Sequence, residues 1–158
     1  MRIGKLDLKS GRWLGQVETT AAGDHLELVQ GGSDKLRLPL PEGWRTLSRE
    51  AMAELARRPE VRLWCDDSGI LWRVSLVGPG TAYPYPLRHR HLVFDSEESW
   101  AGIVAFDGPD ELGDLTRLDL KRLRDRMCDF GGRRRGYRPP SIARSGLRGS
   151  HGSRNRHA

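Results

Sequence analysis

Apolar and polar residues alternate through the first forty positions of the chain, which is the periodicity of β-strands. Residues that favour turns interrupt the alternation at positions 10–11, 22–24 and 31–34. The pattern therefore predicts four short antiparallel strands. Their apolar positions are Leu6, Leu8, Trp13, Val17, Leu26, Leu28, Leu36, Leu38 and Leu40.

The same alternation predicts two further hairpins in the middle of the chain. Residues 61–65 and 70–76 flank an Asp-Asp-Ser-Gly turn, and residues 92–94 and 100–106 flank an Asp-Ser-Glu-Glu turn. These segments bring the predicted number of short strands to about eight.

Two helices are predicted from their start signals. Ser48 is a good N-cap for a helix over residues 49–58, which a proline then ends. Thr116 and Asp119 have the spacing of a capping box, and an apolar stripe behind them predicts a helix that runs to about Cys128. The resulting fold class is α+β, with an antiparallel sheet or small barrel and two helices.

The two helix regions correspond to one another at a constant offset along the chain. This offset relates Pro41, Leu47, Ser48, Met52, Leu55 and Arg58 to Pro109, Leu115, Thr116, Leu120, Leu123 and Arg126. Because four predicted strands precede each helix, one hypothesis is a duplicated ββββα unit. The alternative is that two unrelated helices use the same common start signal.

Charge divides the chain of 158 residues into two parts. Residues 131–158 contain eight of the 27 basic residues, all of them arginine, and no acidic residue. The other basic residues and all 21 acidic residues lie in 1–130, which is therefore close to neutral. Gly, Ser, Pro and Arg dominate the C-terminal part, which has too few apolar residues to offset the entropy of ordering. We therefore expect a compact body over residues 1–130 and a disordered basic tail over residues 131–158.

The basic tail favours contact with RNA or DNA. Arg133, Arg134, Arg135 and Arg138 supply delocalised cations for phosphates, and Tyr137 supplies an aromatic ring that can stack on a base. Such a segment would bind without sequence specificity. The alternative is a tail that only increases solubility.

Three aromatic residues of the body are candidates for a ligand or partner surface. Trp64 lies opposite Leu63 and Cys65 in the strand pattern, so we expect it to be the exposed tryptophan. Tyr83 and Tyr85 alternate with prolines in the loop that follows, where they would form a semi-rigid strap. The alternative is that both tyrosines fold onto the sheet.

The chain offers few residues for catalysis. His89 and His91 would share one face of a strand and could contribute to a metal site, but no third ligand is evident. The acidic pairs at 66–67 and 97–98 lie in predicted turns, where a structural or solvating role is favoured. We accordingly expect no cofactor and do not favour an enzyme.

The sequence thus favours a binding protein whose body contacts a protein or small ligand and whose tail binds nucleic acid. The alternatives are a small or metal-dependent enzyme that uses the His89 and His91 region, and a structural partner subunit with a solubilising tail. Neither a signal peptide nor a membrane-spanning run is evident, which predicts a soluble cytoplasmic protein. Cys65 and Cys128 match no metal or redox spacing, so both are expected to be reduced.

Overall fold

The structure, a computed structural model, describes residues 1–80, 87–98, 101–107 and 111–128. These residues form eight strands, two α-helices and two 3-10 turns. The strands are β1 (Arg2–Leu8), β2 (Gly11–Thr20), β3 (Gly23–Gln30), β4 (Asp34–Pro39), β5 (Val61–Cys65), β6 (Leu71–Val77), β7 (His91–Asp95) and β8 (Gly102–Ala105). The helices are α1 (Arg49–Ala56) and α2 (Arg117–Arg126), and the 3-10 turns are Trp44–Thr46 and Leu112–Asp114.

All eight strands belong to one antiparallel sheet, in which each strand pairs with the next strand of the chain. The sheet is open, since β1 and β8 do not pair within the described residues. The predicted α+β class with an antiparallel sheet is confirmed, and the alternative of a closed barrel is wrong. At the β8 edge, Ile103 forms an antiparallel bridge with Cys128.

The element order repeats, because each set of four strands is followed by a 3-10 turn and a helix. Each repeat also has its own hydrophobic core. The core of the first repeat consists of Leu6, Trp13, Val17, Leu26, Leu28, Leu36, Leu38, Trp44, Met52 and Ala56. The core of the second consists of Trp64, Ile70, Trp72, Val74, Leu92, Phe94, Val104, Phe106, Leu112, Leu115, Leu120 and Met127. The structure therefore shows the ββββα order of elements twice, which is the order that the duplication hypothesis requires.

The constant offset between the helix regions holds for only part of each repeat. It also relates the first residues of β3 and β7, of β4 and β8, and of the two 3-10 turns. The strands β5 and β6 follow β1 and β2 at a shorter offset. The difference arises between the second and third strands of each repeat, where residues 78–90 replace the tight turn at 21–22. The offset is therefore larger after this connection than before it, because the second repeat contains a long insertion there.

Both helices begin where their caps predict. Ser48 Oγ accepts a hydrogen bond from the Ala51 amide at 3.1 Å. Thr116 and Asp119 form the complete capping box, with distances of 3.1 and 2.9 Å. The helices end slightly earlier than expected, at Ala56 and Arg126.

The phase predicted for β5 is wrong. Trp64 pairs with Trp72, and directly opposed residues of an antiparallel pair lie on the same sheet face. Trp64 is consequently buried, with 2% of its surface exposed, while Leu63 and Cys65 lie half-buried on the other face. The local pattern misled because the inward position before Trp64 holds a charged residue, Arg62.

Both cysteines are free thiols and are half-buried. In the part of the chain that the structure describes, no helix has the length and apolar character that crossing a membrane requires. Residues 131–158, for which disorder is expected, lie outside the described residues. Tyr83 and Tyr85 also lie outside them.

Candidate functional site

The first of the two acidic pairs, at residues 66–67, has the structural role that its predicted turn favoured. Asp66 Oδ1 accepts hydrogen bonds from the backbone amides of Ser68 and Ile70, at 2.8 and 3.0 Å. Asp66 Oδ2 accepts from Trp72 Nε1 at 2.8 Å and from Arg124 Nη1 at 2.9 Å. This buried carboxylate therefore fixes the β5–β6 turn and attaches α2 to it, as expected of an Asp in a turn.

A second buried carboxylate, Asp114, connects the two repeats. Its Oδ2 lies 2.6 Å from Arg57 Nε, at the end of α1, and its Oδ1 accepts from the Lys9 amide at 3.3 Å. Beside it, the Gly113 amide donates to the Arg57 carbonyl at 2.9 Å, and Ser10 Oγ donates to the Gly113 carbonyl at 2.6 Å. The hydrogen bond from Arg57 to Asp114 raises the pKa of the arginine above its ordinary value. Asp114 is thus a structural link between repeats.

Arg62 is the most deeply buried cation of the described residues and lies between the two cores. Its Nη1 donates to the carbonyls of Leu112 and Leu115, and its guanidinium lies 5.4 Å from the centre of the Trp13 ring. Burial lowers the pKa of Arg62 to about 10, so the side chain stays protonated at neutral pH. Because its contacts join β5, β2 and the second 3-10 turn, Arg62 holds the repeats together.

Trp64 packs inside the second repeat. Its ring meets Phe94 edge-on at a centroid distance of 6.4 Å, and the Arg124 guanidinium lies 5.3 Å from the Trp64 ring centre. The expectation that Trp64 is exposed and forms a partner surface is therefore wrong.

The two histidines do not share a strand face. His89 lies in the connection before β7, and His91 is the first residue of that strand. His91 Nδ1 lies 2.8 Å from the His89 carbonyl oxygen. Among the described residues, no three His, Cys, Asp or Glu side chains come close enough to hold a metal ion.

An open groove of about 380 Å³ lies between β1 and the N-terminal part of α1. Leu6, Trp44 and Met52 are buried at its floor. Arg45 and Arg49 are the charged residues among those that line it. The remaining lining residues are Met1, Ile3 and Leu47. The groove combines segments that are far apart in the chain, so no local sequence signal could have indicated it.

A second open cavity, of about 330 Å³, lies between β8 and α2. Phe106, Leu115 and Leu123 provide apolar lining, and Arg122 and Arg126 lie at its edge with Asp107, Asp119 and Ala105. Arg122 and Arg126 are exposed, and they have no ion-pair partner in the described part of the chain. Their i, i+4 spacing places both on one side of α2.

The structure thus places the candidates at separate positions. Trp64 is in the core, His89 and His91 lie at the start of β7, and the basic tail follows α2 in sequence. Comparison of the chain with protein-family models, curated proteins and solved structures finds no match. The observations on this molecule therefore carry the functional argument.

Proposed function

We propose that this chain is a non-enzymatic binding protein that contacts RNA or DNA through its basic C-terminal part. The observation that carries the proposal is the uncompensated positive charge of the tail, which follows α2 in the chain. Residues 131–158 contain eight arginines and no acidic residue, and they follow a helix that exposes Arg122 and Arg126. The body presents a second surface, which contacts a protein or small ligand.

The other cations of α2 are used within the fold. Arg124 contacts Asp66, and Lys121 Nζ lies 2.9 Å from Asp67 Oδ2. Arg117 donates to the Cys65 carbonyl at 3.1 Å. Arg122 and Arg126 are therefore the α2 cations that can meet phosphates together with the tail.

The chemistry of these residues suits phosphate contact without recognition of base sequence. A guanidinium presents planar donors to phosphate oxygens, and each neutralised phosphate releases counterions. Tyr137 would add stacking on an unpaired base. The proposal therefore predicts binding that depends strongly on salt and weakly on sequence.

The test is a titration of a fluorescent single-stranded oligonucleotide with the full chain at several salt concentrations. Replacement of Arg133, Arg134 and Arg135 by alanine should weaken binding and reduce the slope of log affinity against log salt by about 2. Arg12→Ala is the matched control, because Arg12 is an exposed arginine paired with Asp7 in the first repeat. Equal affinity and slope for the triple variant and the full chain would contradict the proposal.

A further inference from the structure

The groove beside β1 lies at an open edge of the sheet. Within the described residues β1 pairs only with β2, so its other side presents unpaired backbone groups. In the second repeat the corresponding strand, β5, is not an edge, because β4 pairs with it. The two repeats therefore differ at this edge: the first lacks the additional strand that the second receives from its neighbour.

The helix arginines of the two repeats show what this additional strand supplies. Arg49 and Arg117 are each the first residue of their helix, so they occupy corresponding positions of the two repeats. Arg117 lies against β5, where its Nε is 3.8 Å from the carboxylate of Asp34 at the start of β4. Arg49 lies against β1 at Gly4. If Gly4 carried a Cβ atom, that atom would be 3.4 Å from Arg49 Nη2.

In the described part of the chain, Arg49 forms no ion pair with a carboxylate and no hydrogen bond with another group. The second arginine of the groove is held in place, since the Arg45 guanidinium lies 4.8 Å from the Trp44 ring centre and 3.7 Å from Asp24 Oδ2. Of the described residues that line the groove, none is acidic. An anionic group is therefore the complementary partner for Arg49.

We propose that an extended segment of a partner protein adds as a strand to the free edge of β1 and offers an Asp or Glu carboxylate to Arg49. The segment would pair with β1 as β4 pairs with β5. Its carboxylate would lie near Arg49 as that of Asp34 lies near Arg117. This inference rests on the proposed function, since it names the kind of partner that the body binds.

The groove supplies the other contacts that such a segment needs. Strand addition satisfies main-chain groups along the edge, while pockets that take alternate side chains confer specificity. Ile3, Leu6 and Met52 give the groove its apolar lining beside the edge. The segment therefore combines apolar side chains at alternate positions with one acidic residue.

The experiment selects binders from a display library of random peptides, each long enough to pair along the whole of β1, against the full chain. A parallel selection uses Arg49→Ala. Because the basic tail is the same in both proteins, acidic peptides that bind only the tail are enriched equally and are discarded. We expect the remaining peptides to contain Asp or Glu with alternating apolar residues, and to bind the Arg49→Ala protein about tenfold more weakly or worse. Arg73→Ala, which replaces an exposed arginine of β6, should bind them as the unaltered chain does.

Two further measurements complete the test. Amide hydrogen exchange should show new protection of β1 amides when an enriched peptide is bound. Selection against Arg49→Glu should enrich Lys or Arg in place of the acidic residue. Enriched peptides without an acid, protection elsewhere than β1, or no difference between Arg49→Ala and the full chain would overturn the proposal. A dimer that protects β1 without peptide would also overturn it, since a second copy would then cover the edge. The nucleic-acid titration is a separate readout, so either idea can fail alone.

Discussion

The buried charges of the body differ in how well their surroundings compensate them. Asp66 accepts four hydrogen bonds, two of them from backbone amides of its own turn. Asp34 is equally buried, with 1% of its surface exposed, but its carboxylate has a cation only at 3.8 Å, on Arg117. Desolvation therefore dominates at Asp34 and raises the pKa of its carboxyl group above the ordinary value, although Arg117 and Arg62 act in the opposite direction.

The first prediction concerns the pH dependence that Asp34 imposes on stability. Between the ordinary pKa of 3.8 and the raised pKa of the folded state, the folded chain binds more protons than the unfolded chain. Stability from this residue therefore decreases as pH rises through that window. Asp34→Asn removes the effect, so it should raise the free energy of unfolding at pH 7 relative to the wild type, measured by urea denaturation.

Asp67→Asn provides a control of opposite sign. The hydrogen bond and charge of Lys121 lower the pKa of Asp67, so its contribution is present above pH 3.8 and is lost as pH falls through the lowered value. Its replacement should reduce stability at pH 7. If Asp34→Asn instead loses stability at pH 7, the interactions of the Asp34 carboxylate in the folded state outweigh its desolvation, and the prediction is wrong.

At the scale of elements, the sequence predicts where the helices begin better than it predicts which face of a strand is buried. Caps at Ser48 and Thr116 are local signals, because the hydrogen bonds join residues three positions apart. The face that β5 buries depends instead on its register with β6 and on Arg62, whose partners are carbonyls of the second 3-10 turn and the residue that follows it. Apolar alternation could not reveal this, since the inward position is charged.

The candidate sites were less accessible to sequence reasoning than the strands. The turn role of Asp66 followed from turn chemistry, and the basic tail followed from composition. The groove, in contrast, exists only because α1 packs beside β1, and Arg49 becomes distinctive only when it is compared with Arg117. Such a comparison requires knowing which strand lies at the edge of the sheet.

The second prediction tests the contact between α1 and the second 3-10 turn. A Cβ at Gly113 would lie 2.2 Å from the Ala56 carbonyl oxygen and 3.0 Å from Arg57 Cα, so the backbone would have to shift. Gly113→Ala should lower the free energy of unfolding by about 2–4 kcal/mol.

Gly78→Ala is the matched control for that measurement. A Cβ at Gly78 would meet its nearest neighbour, Arg90 Cγ, at an ordinary 3.5 Å. Its stability should change by less than about 1 kcal/mol in chemical denaturation. Equal stability losses in both variants would show that the contact at Gly113 is not specific.

For the whole molecule, the central question is whether two cores behave as one cooperative unit. Asp114 accepts hydrogen bonds from Arg57 and from the Lys9 amide, both in the first repeat. The guanidinium of Arg62, in β5, packs on the ring of Trp13. The strands β4 and β5 also join the two halves of the sheet directly. Separating the repeats would break these buried and partly buried contacts together and would uncover Trp13, which is fully buried beside Arg62.

The third prediction is therefore a single unfolding transition. The indole resonances of Trp13 and Trp72, one in each core, should disappear with the same midpoint in an NMR urea titration of the full chain. In Asp114→Ala, both midpoints should move to lower urea together. Midpoints that already differ in the unaltered chain would show that the repeats unfold separately.

The order of the strands also has a consequence for how the protein is made. Every strand pairs with its neighbour in sequence, so most of the sheet can be built from contacts that are close along the chain, which favours rapid folding. The buried members of the first core lie between Leu6 and Ala56, so all of them are translated before β5. The nascent first repeat can then act as a template, with β4 as the edge onto which the second repeat is added strand by strand.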